Sequence, residues 1–137
     1  MRVPPLSCEG GRMSNSQHLQ KSKVLVVDDD ADVLDASAAM VAHLGYNPVC
    51  ASDGDDALKF IATDPSIDIL LTDVQMPGMH GFELARRAKA IRTDLRVVYV
   101  TGQLDPTLER TEETFGPIVR KPFGWRQLAM YLRLVSG

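Results

Sequence analysis

The chain has 137 residues, the length of one domain, and its 45% apolar and 24% charged content is that of a globular protein and excludes a disordered chain. No apolar stretch reaches the length of a membrane span, which excludes an integral membrane protein. The net charge of -3 hides a split: residues 1–83 hold 13 acids and 5 bases, residues 84–137 hold 5 and 10, an asymmetry that argues against uniform nucleic-acid binding.

Residues 1–22 are rich in Gly, Ser, Asn and Gln without an apolar period, and are expected to be a flexible extension, with a single domain over residues 23–137. No continuous apolar run marks a signal peptide there, so a cytoplasmic protein is expected. Val24-Leu25-Val26-Val27 reads as a strand buried on both faces, ending in Asp28-Asp29-Asp30. A helix follows to about Leu44, with Leu34, Val41 and Leu44 on one face and Gly45 as its stop. Pro48 to Ala51 is a weak strand whose proline favours a sheet edge or a strand start. Asp56 to Thr63 reads as a short helix, Ile67 to Thr72 as a third strand ending at Asp73, and Phe82 to Ile91 as a helix. Leu95 to Val100 is a fourth strand closed by Thr101-Gly102. Residues 106–115 make a poor helix with few apolar anchors. Ile118-Val119 is a short fifth strand, followed by Lys121-Pro122. Gly124 to Val135 is the last helix, with Trp125, Leu128, Leu132 and Val135 on one stripe.

Five strands alternating with five helical segments predict βα units and a parallel sheet, with right-handed crossovers placing helices on both faces. Ligands in such sheets bind outside the carboxyl ends of the strands. Asp28 and Asp29 follow strand one, Asp73 strand three, Thr101 strand four and Lys121 strand five, so all are predicted on one edge.

Three carboxylates in one crevice raise one another's pKa or hold a cation. Oxygen ligands without His or Cys suit a hard ion such as Mg²⁺, which takes one or two carboxylates and shares phosphate oxygens. A carboxylate can also attack phosphorus to give an aspartyl-phosphate. Phosphoryl transfer needs charge neutralised around the equatorial oxygens, and the Lys121 ammonium and Thr101 hydroxyl are groups of the right kind.

From about Lys23 to Val135 the chain resembles a response-regulator receiver domain of bacterial two-component signalling. Four pieces carry the resemblance: Val26-Val27-Asp28-Asp29, Asp73-Val74-Gln75-Met76-Pro77-Gly78-Met79-His80-Gly81, Thr101-Gly102 and Lys121-Pro122-Phe123. It implies a doubly wound α/β fold with flavodoxin-like strand order 2-1-3-4-5. It also implies that Asp73 accepts a phosphoryl group from a phosphohistidine of a histidine kinase or a histidine phosphotransfer protein. Mg²⁺ would be held by Asp28, Asp29, Asp73 and the backbone carbonyl of Gln75, with Lys121 and Thr101 on the phosphoryl oxygens. Such a domain is a switch with self-phosphorylation and self-dephosphorylation chemistry rather than an enzyme. Thr101-Gly102-Gln103 is similar to receivers attached to hybrid histidine kinases. One position departs: Ile118 stands where family members often carry Tyr or Phe as a switch. The segment between Thr101 and Lys121 is also slightly short, and residues 103–115, a poor helix, are expected to show weak or unusual order.

Other readings stand beside this one. Asp28 and Asp29 also suit a helix N-terminus, as Asp30 and Asp32 do, and Thr101 can cap a turn. His18 falls in the extension, His43 near a helix end, and His80 reads as a surface residue. Cys8 and Cys50 have neither disulfide-framework nor zinc spacing, and Cys50 reads as a core residue. No Ser-His-Asp arrangement or phosphate-binding glycine loop is legible. Trp125 and Phe123 read as core or hinge packing, and Arg86, Arg87, Lys89 and Arg92 as a solvated helix face. Because the chain ends two residues after Val135, a stand-alone receiver acting through protein partners, without direct nucleic-acid or membrane contact, is the leading expectation. The alternatives are a Mg²⁺-dependent phosphatase with an aspartyl nucleophile and a phosphorylation-independent interaction module.

Overall fold

The computed structural model describes residues 22–103 and 114–136. All of the expected extension but Ser22, with Cys8 and His18, and most of the poor helix at 106–115 lie outside the described residues.

Among those residues the elements are β1 (Lys23–Val27), α1 (Ala31–His43), β2 (Asn47–Ala51), α2 (Gly54–Thr63), β3 (Ile67–Asp73), α3 (Gly81–Ile91), β4 (Arg96–Thr101), β5 (Ile118–Arg120) and α4 (Trp125–Ser136). All strand pairs are parallel and the sheet order is β2-β1-β3-β4-β5. The predicted fold class and strand order are therefore present.

Strand alternation explains why β1 is apolar from Val24 to Val27. Val24 and Val26 face one side, with Leu34, Ala38 and Val41 of α1 and Leu128 and Leu132 of α4. Leu25 and Val27 face the other, with Ala57 and Ile61 of α2 and Phe82, Leu84, Ala85 and Ala88 of α3. A sheet covered on both faces buries both sets of side chains, so period two disappears from the apolar text. β2 is an edge strand, as Pro48 demanded, since a missing N–H is tolerated there.

Helix ends follow local capping chemistry. The Asp30 side chain accepts from the Asp32 and Val33 N–H groups and starts α1. Gly45, with φ 95°, lies just past its end. Asp53 accepts from the Asp56 N–H, so α2 starts at Gly54, two residues before the predicted start. β4 runs one residue later than predicted, because the Leu95 N–H is used in a turn to the Arg92 carbonyl.

Three side-chain expectations are corrected. Trp125 is not an anchor of the α4 stripe: it is 49% exposed, edge-on to His43, with the Arg126 guanidinium over its ring at 5.0 Å. Leu128 and Leu132 alone are fully buried there. Lys89 and Arg92 are not a solvated face. Lys89 Nζ donates to the Thr93 and Leu95 carbonyls, and Arg92 donates to those of Asp64 and Ile67. They clasp the amino-terminal edge of the sheet, where Lys23 also pairs with Asp64 at 2.9 Å. Cys50 is only half-buried, at the margin of the α1 face. Among the described residues no helix is long and apolar enough to cross a membrane.

Gly81 is where fold and site meet. It opens α3, and its N–H donates to the Val74 carbonyl at 2.9 Å. A Cβ on Gly81 would stand 2.3 Å from the Asp73 carbonyl oxygen, whereas one on Gly124 would meet nothing within 4 Å among the described residues. Gly81→Ala is therefore expected to destabilise the protein by about 2 kcal/mol or more, and Gly124→Ala by less than about 1 kcal/mol. Urea unfolding of the two variants measures the difference, and equal midpoints would contradict the close approach.

Candidate functional site

The backbone ladders continue past the strand ends and fix the site residues. The Asp28 N–H donates to the Ala51 carbonyl, Val74 to Val100, and Lys121 to Thr101, at 3.3, 2.8 and 2.8 Å. Asp28 thus leaves β1, Asp73 closes β3, Thr101 closes β4 and Lys121 follows β5, all on the carboxyl edge.

Asp28, Asp29 and Asp73 each offer a carboxylate oxygen, and these oxygens lie within 4.8 Å of one another. Asp28 and Asp73 are buried, while Asp29 faces solvent. Asp28 Oδ1 accepts the Asp30 N–H at 2.9 Å, so Asp28 also turns the chain into α1. Lys121 Nζ reaches across from β5, 3.1 Å from Asp28 Oδ2 and 3.6 Å from Asp73 Oδ1. The longer contact is an ion pair without a hydrogen bond. Asp73 Oδ1 is buried with no hydrogen-bond partner among the described residues. A small cavity of about 10 Å³, with Leu71 and Val100 on its apolar side and Asp28 and Ser37 on its polar side, adjoins Asp73.

This environment disfavours charge on Asp73. Burial pushes its carboxyl up to about 6; Lys121 opposes the rise, Asp28 adds to it, the Gln75 backbone N–H opposes it and Asp29 adds to it. An orphaned buried oxygen among three acids and one ammonium is a site short of positive charge. A hard cation with oxygen ligands fits that donor set, which contains no His or Cys.

Thr101 arrives on the same edge, but its hydroxyl engages Gln75 Oε1 at 2.9 Å and the Gln103 carbonyl at 2.6 Å. The structure therefore gathers Asp28, Asp29, Asp73 and Lys121 and sets Thr101 beside them in a second cluster with Gln75. His80, expected as a surface residue, is the N-cap of α3: its Nδ1 accepts the Glu83 N–H at 3.1 Å. Imidazole is an uncommon cap, and the motif text gave no signal for it.

A family model for the response regulator receiver domain matches residues 24–133. The chain belongs to this family. Response regulator SaeR of Staphylococcus epidermidis (strain RP62A) is 28% identical over 109 residues, 78% of this chain and 47% of that protein. The chain spans about half the length of the curated relatives it matches. A receiver-domain protein of Clostridium thermocellum superposes with a TM-score of 0.76 at 26% identity, covering 84% of this chain and 94% of that one. The receiver domain of the hybrid histidine kinase CckA gives a TM-score of 0.73 at 26% identity, covering 85% and 100%. This receiver domain therefore shares its fold with a response regulator receiver-domain protein and with the receiver domain of a hybrid histidine kinase.

The raised pKa of Asp73 has a stability consequence for the metal-free receiver. An unfolded aspartate titrates near about 3.9, so between about pH 4 and pH 6 the folded state holds more protons than the unfolded state. The stability contribution of Asp73 is full below about pH 4 and is lost as pH rises through about 6, by up to about 3 kcal/mol. In chelator at pH 7, Asp73→Asn should be more stable than wild type by up to about 2 kcal/mol, with the gain vanishing at pH 4. Urea titrations at both pH values test this, and a gain independent of pH would contradict it.

Proposed function

We propose that this receiver is a phosphorylation-activated switch in which Asp73 accepts a phosphoryl group from the phosphohistidine of a histidine kinase or a histidine phosphotransfer protein. The observation that carries the reading is the buried, hydrogen-bond-free Asp73 Oδ1 set between two further carboxylates and an ammonium. A core aspartate with a structural role satisfies both oxygens; this one keeps an oxygen free for a reacting atom.

In the transfer, a carboxylate oxygen of Asp73 forms a bond to phosphorus and the phosphorus–nitrogen bond of the donor imidazole breaks. The imidazole nitrogen keeps the electron pair and regains a proton from solvent. Lys121 Nζ neutralises charge on the phosphoryl oxygens, and the Thr101 hydroxyl donates a hydrogen bond to one of them. Asp28, Asp29, Asp73 and the Gln75 backbone carbonyl would hold Mg²⁺. When bound, the ion supplies positive charge that lowers the repulsion between the carboxylate and the incoming phosphoryl group. With its carboxyl at about 6, Asp73 is already mostly ionised at neutral pH, the form a nucleophile needs.

The output is binding of a protein partner. Phosphorylation brings charge and three acceptor oxygens to Asp73, which biases the loops after β3 and β4 between two arrangements. Ile118 sits beside Tyr99 in the β4–β5 register, so the common aromatic at this position is absent and another group must carry the signal.

Acetyl phosphate with Mg²⁺ should place one phosphoryl group on the wild type and none on Asp73→Asn. Chelation should abolish labelling, and Lys121→Ala should slow it by about a hundredfold. Equal labelling of wild type and Asp73→Asn would defeat the assignment. Turnover far beyond one equivalent would favour the phosphatase reading instead.

A further inference from the structure

A ring of hydrogen bonds joins the loop after β3 to the loop after β4. The Gln103 N–H donates to Thr101 Oγ1 at 3.2 Å, and Gln75 Nε2 donates to the Gln103 carbonyl at 2.9 Å. Thr101 Oγ1 lies 2.9 Å from Gln75 Oε1 and 2.6 Å from the same Gln103 carbonyl. A threonine hydroxyl owns one proton. Two acceptors lie within reach of that proton, the Gln103 carbonyl at 2.6 Å and Gln75 Oε1 at 2.9 Å, so the hydroxyl is held between them inside the ring. The flipped amide would set one carbonyl oxygen against another at the 2.9 Å contact. Bonds closed into such a circuit polarise and strengthen one another.

Gln75 holds the site at two points. Its backbone N–H serves the Asp73 carboxylate, and its side chain serves Thr101. Among the described residues, a Cβ on Gly102 would meet nothing within 4 Å. The ring is thus the connection between the acceptor loop and the β4 loop, in a receiver that has Ile118 where an aromatic commonly follows the threonine.

We infer that Gln75 is a positioning residue that latches Thr101 in the resting state. The Thr101 hydroxyl is engaged within the ring, by the Gln75 amide oxygen and the Gln103 carbonyl. Moving that hydroxyl to a phosphoryl oxygen on Asp73 exchanges one hydrogen bond for another, breaks the ring, and frees Gly102 and Gln103. This deepens the phospho-acceptor reading of Asp73 and rests on it for the activated state. The latch opposes recruitment of Thr101, so a chain without it is more often competent to close on a phosphoryl group.

The test uses the full chain, Gln75→Ala and Gln75→Met, the second keeping side-chain length without hydrogen bonds. Amide exchange at Gln103, followed by NMR without metal or mimic, should be about fivefold faster in both variants. Titration with Mg²⁺ and beryllofluoride, a phosphoryl mimic, should show binding about fivefold tighter in both. In a Thr101→Ala background the same Gln75 substitutions should change affinity by less than about twofold. Unchanged Gln103 exchange would overturn the latch, and so would a tightening that persists without the Thr101 hydroxyl. Failure of the mimic to bind wild type would overturn the acceptor reading instead, and the metal-free exchange comparison would then decide the latch alone.

Discussion

A carboxylate removed from water must be paired, protonated or given a cation, and the carboxyl edge of this sheet is organised around that requirement. Asp73 is buried at the end of the central strand β3, beside Asp28 at the end of β1. Lys121 is the positive charge within reach among the described residues, and it is shared between two acids, hydrogen-bonded to Asp28 and only ion-paired to Asp73. The compensation is incomplete, which raises the Asp73 pKa and leaves one oxygen without a donor. Evenly matched charges would make a stable buried ion pair with no capacity left for chemistry. A deficit of positive charge makes a site that gains from a cation.

The rest of the fold supplies the rigidity that keeps this frustrated cluster in place. Each strand of the β1-β3-β4 centre is hydrogen-bonded on both sides and covered by helices on both faces. Beyond the strand ends, single backbone bonds carry the order one residue further, to Asp28, Val74 and Lys121. Gly81 lets α3 approach the Asp73 carbonyl, and His80 caps the same helix, so the β3–α3 loop is tied down at its far end. At the opposite edge of the sheet Lys23, Lys89 and Arg92 fasten strands and turns. Their bonds and ion pairs go to carbonyls, to Asp64 and to Asp94, at the edge of the sheet away from the site.

The uneven distribution of charge along the chain has a partial structural meaning. Asp28, Asp29 and Asp73 come from the acidic stretch and Lys121 from the basic one. Parallel topology places their strands within one sheet edge, so charges separated by 93 positions form a hydrogen bond. Arg126, by contrast, lies over the exposed Trp125 ring, away from the acids, where its charge remains available to solvent.

The sequence by itself determined the α/β alternation, the burial of β1 on both faces, and the gathering of Asp28, Asp29, Asp73, Thr101 and Lys121 on one edge. Those features rest on local text: uninterrupted β-branched runs, Gly45 as a stop, and polar residues placed just past each run. Element boundaries moved where a single side chain decided them, as Asp53 did for α2. Tertiary structure decided what each site residue does with its neighbours. The two hydrogen bonds of Gln75, the shared loyalty of Lys121, the capping by His80 and the exposure of Trp125 all depend on distances across strands or between elements. Residue type and spacing do not encode those distances. A threonine after a strand reads the same whether its hydroxyl faces an aspartate or a glutamine, and only the packed sheet edge shows that here it sits between Gln75 and the Gln103 carbonyl.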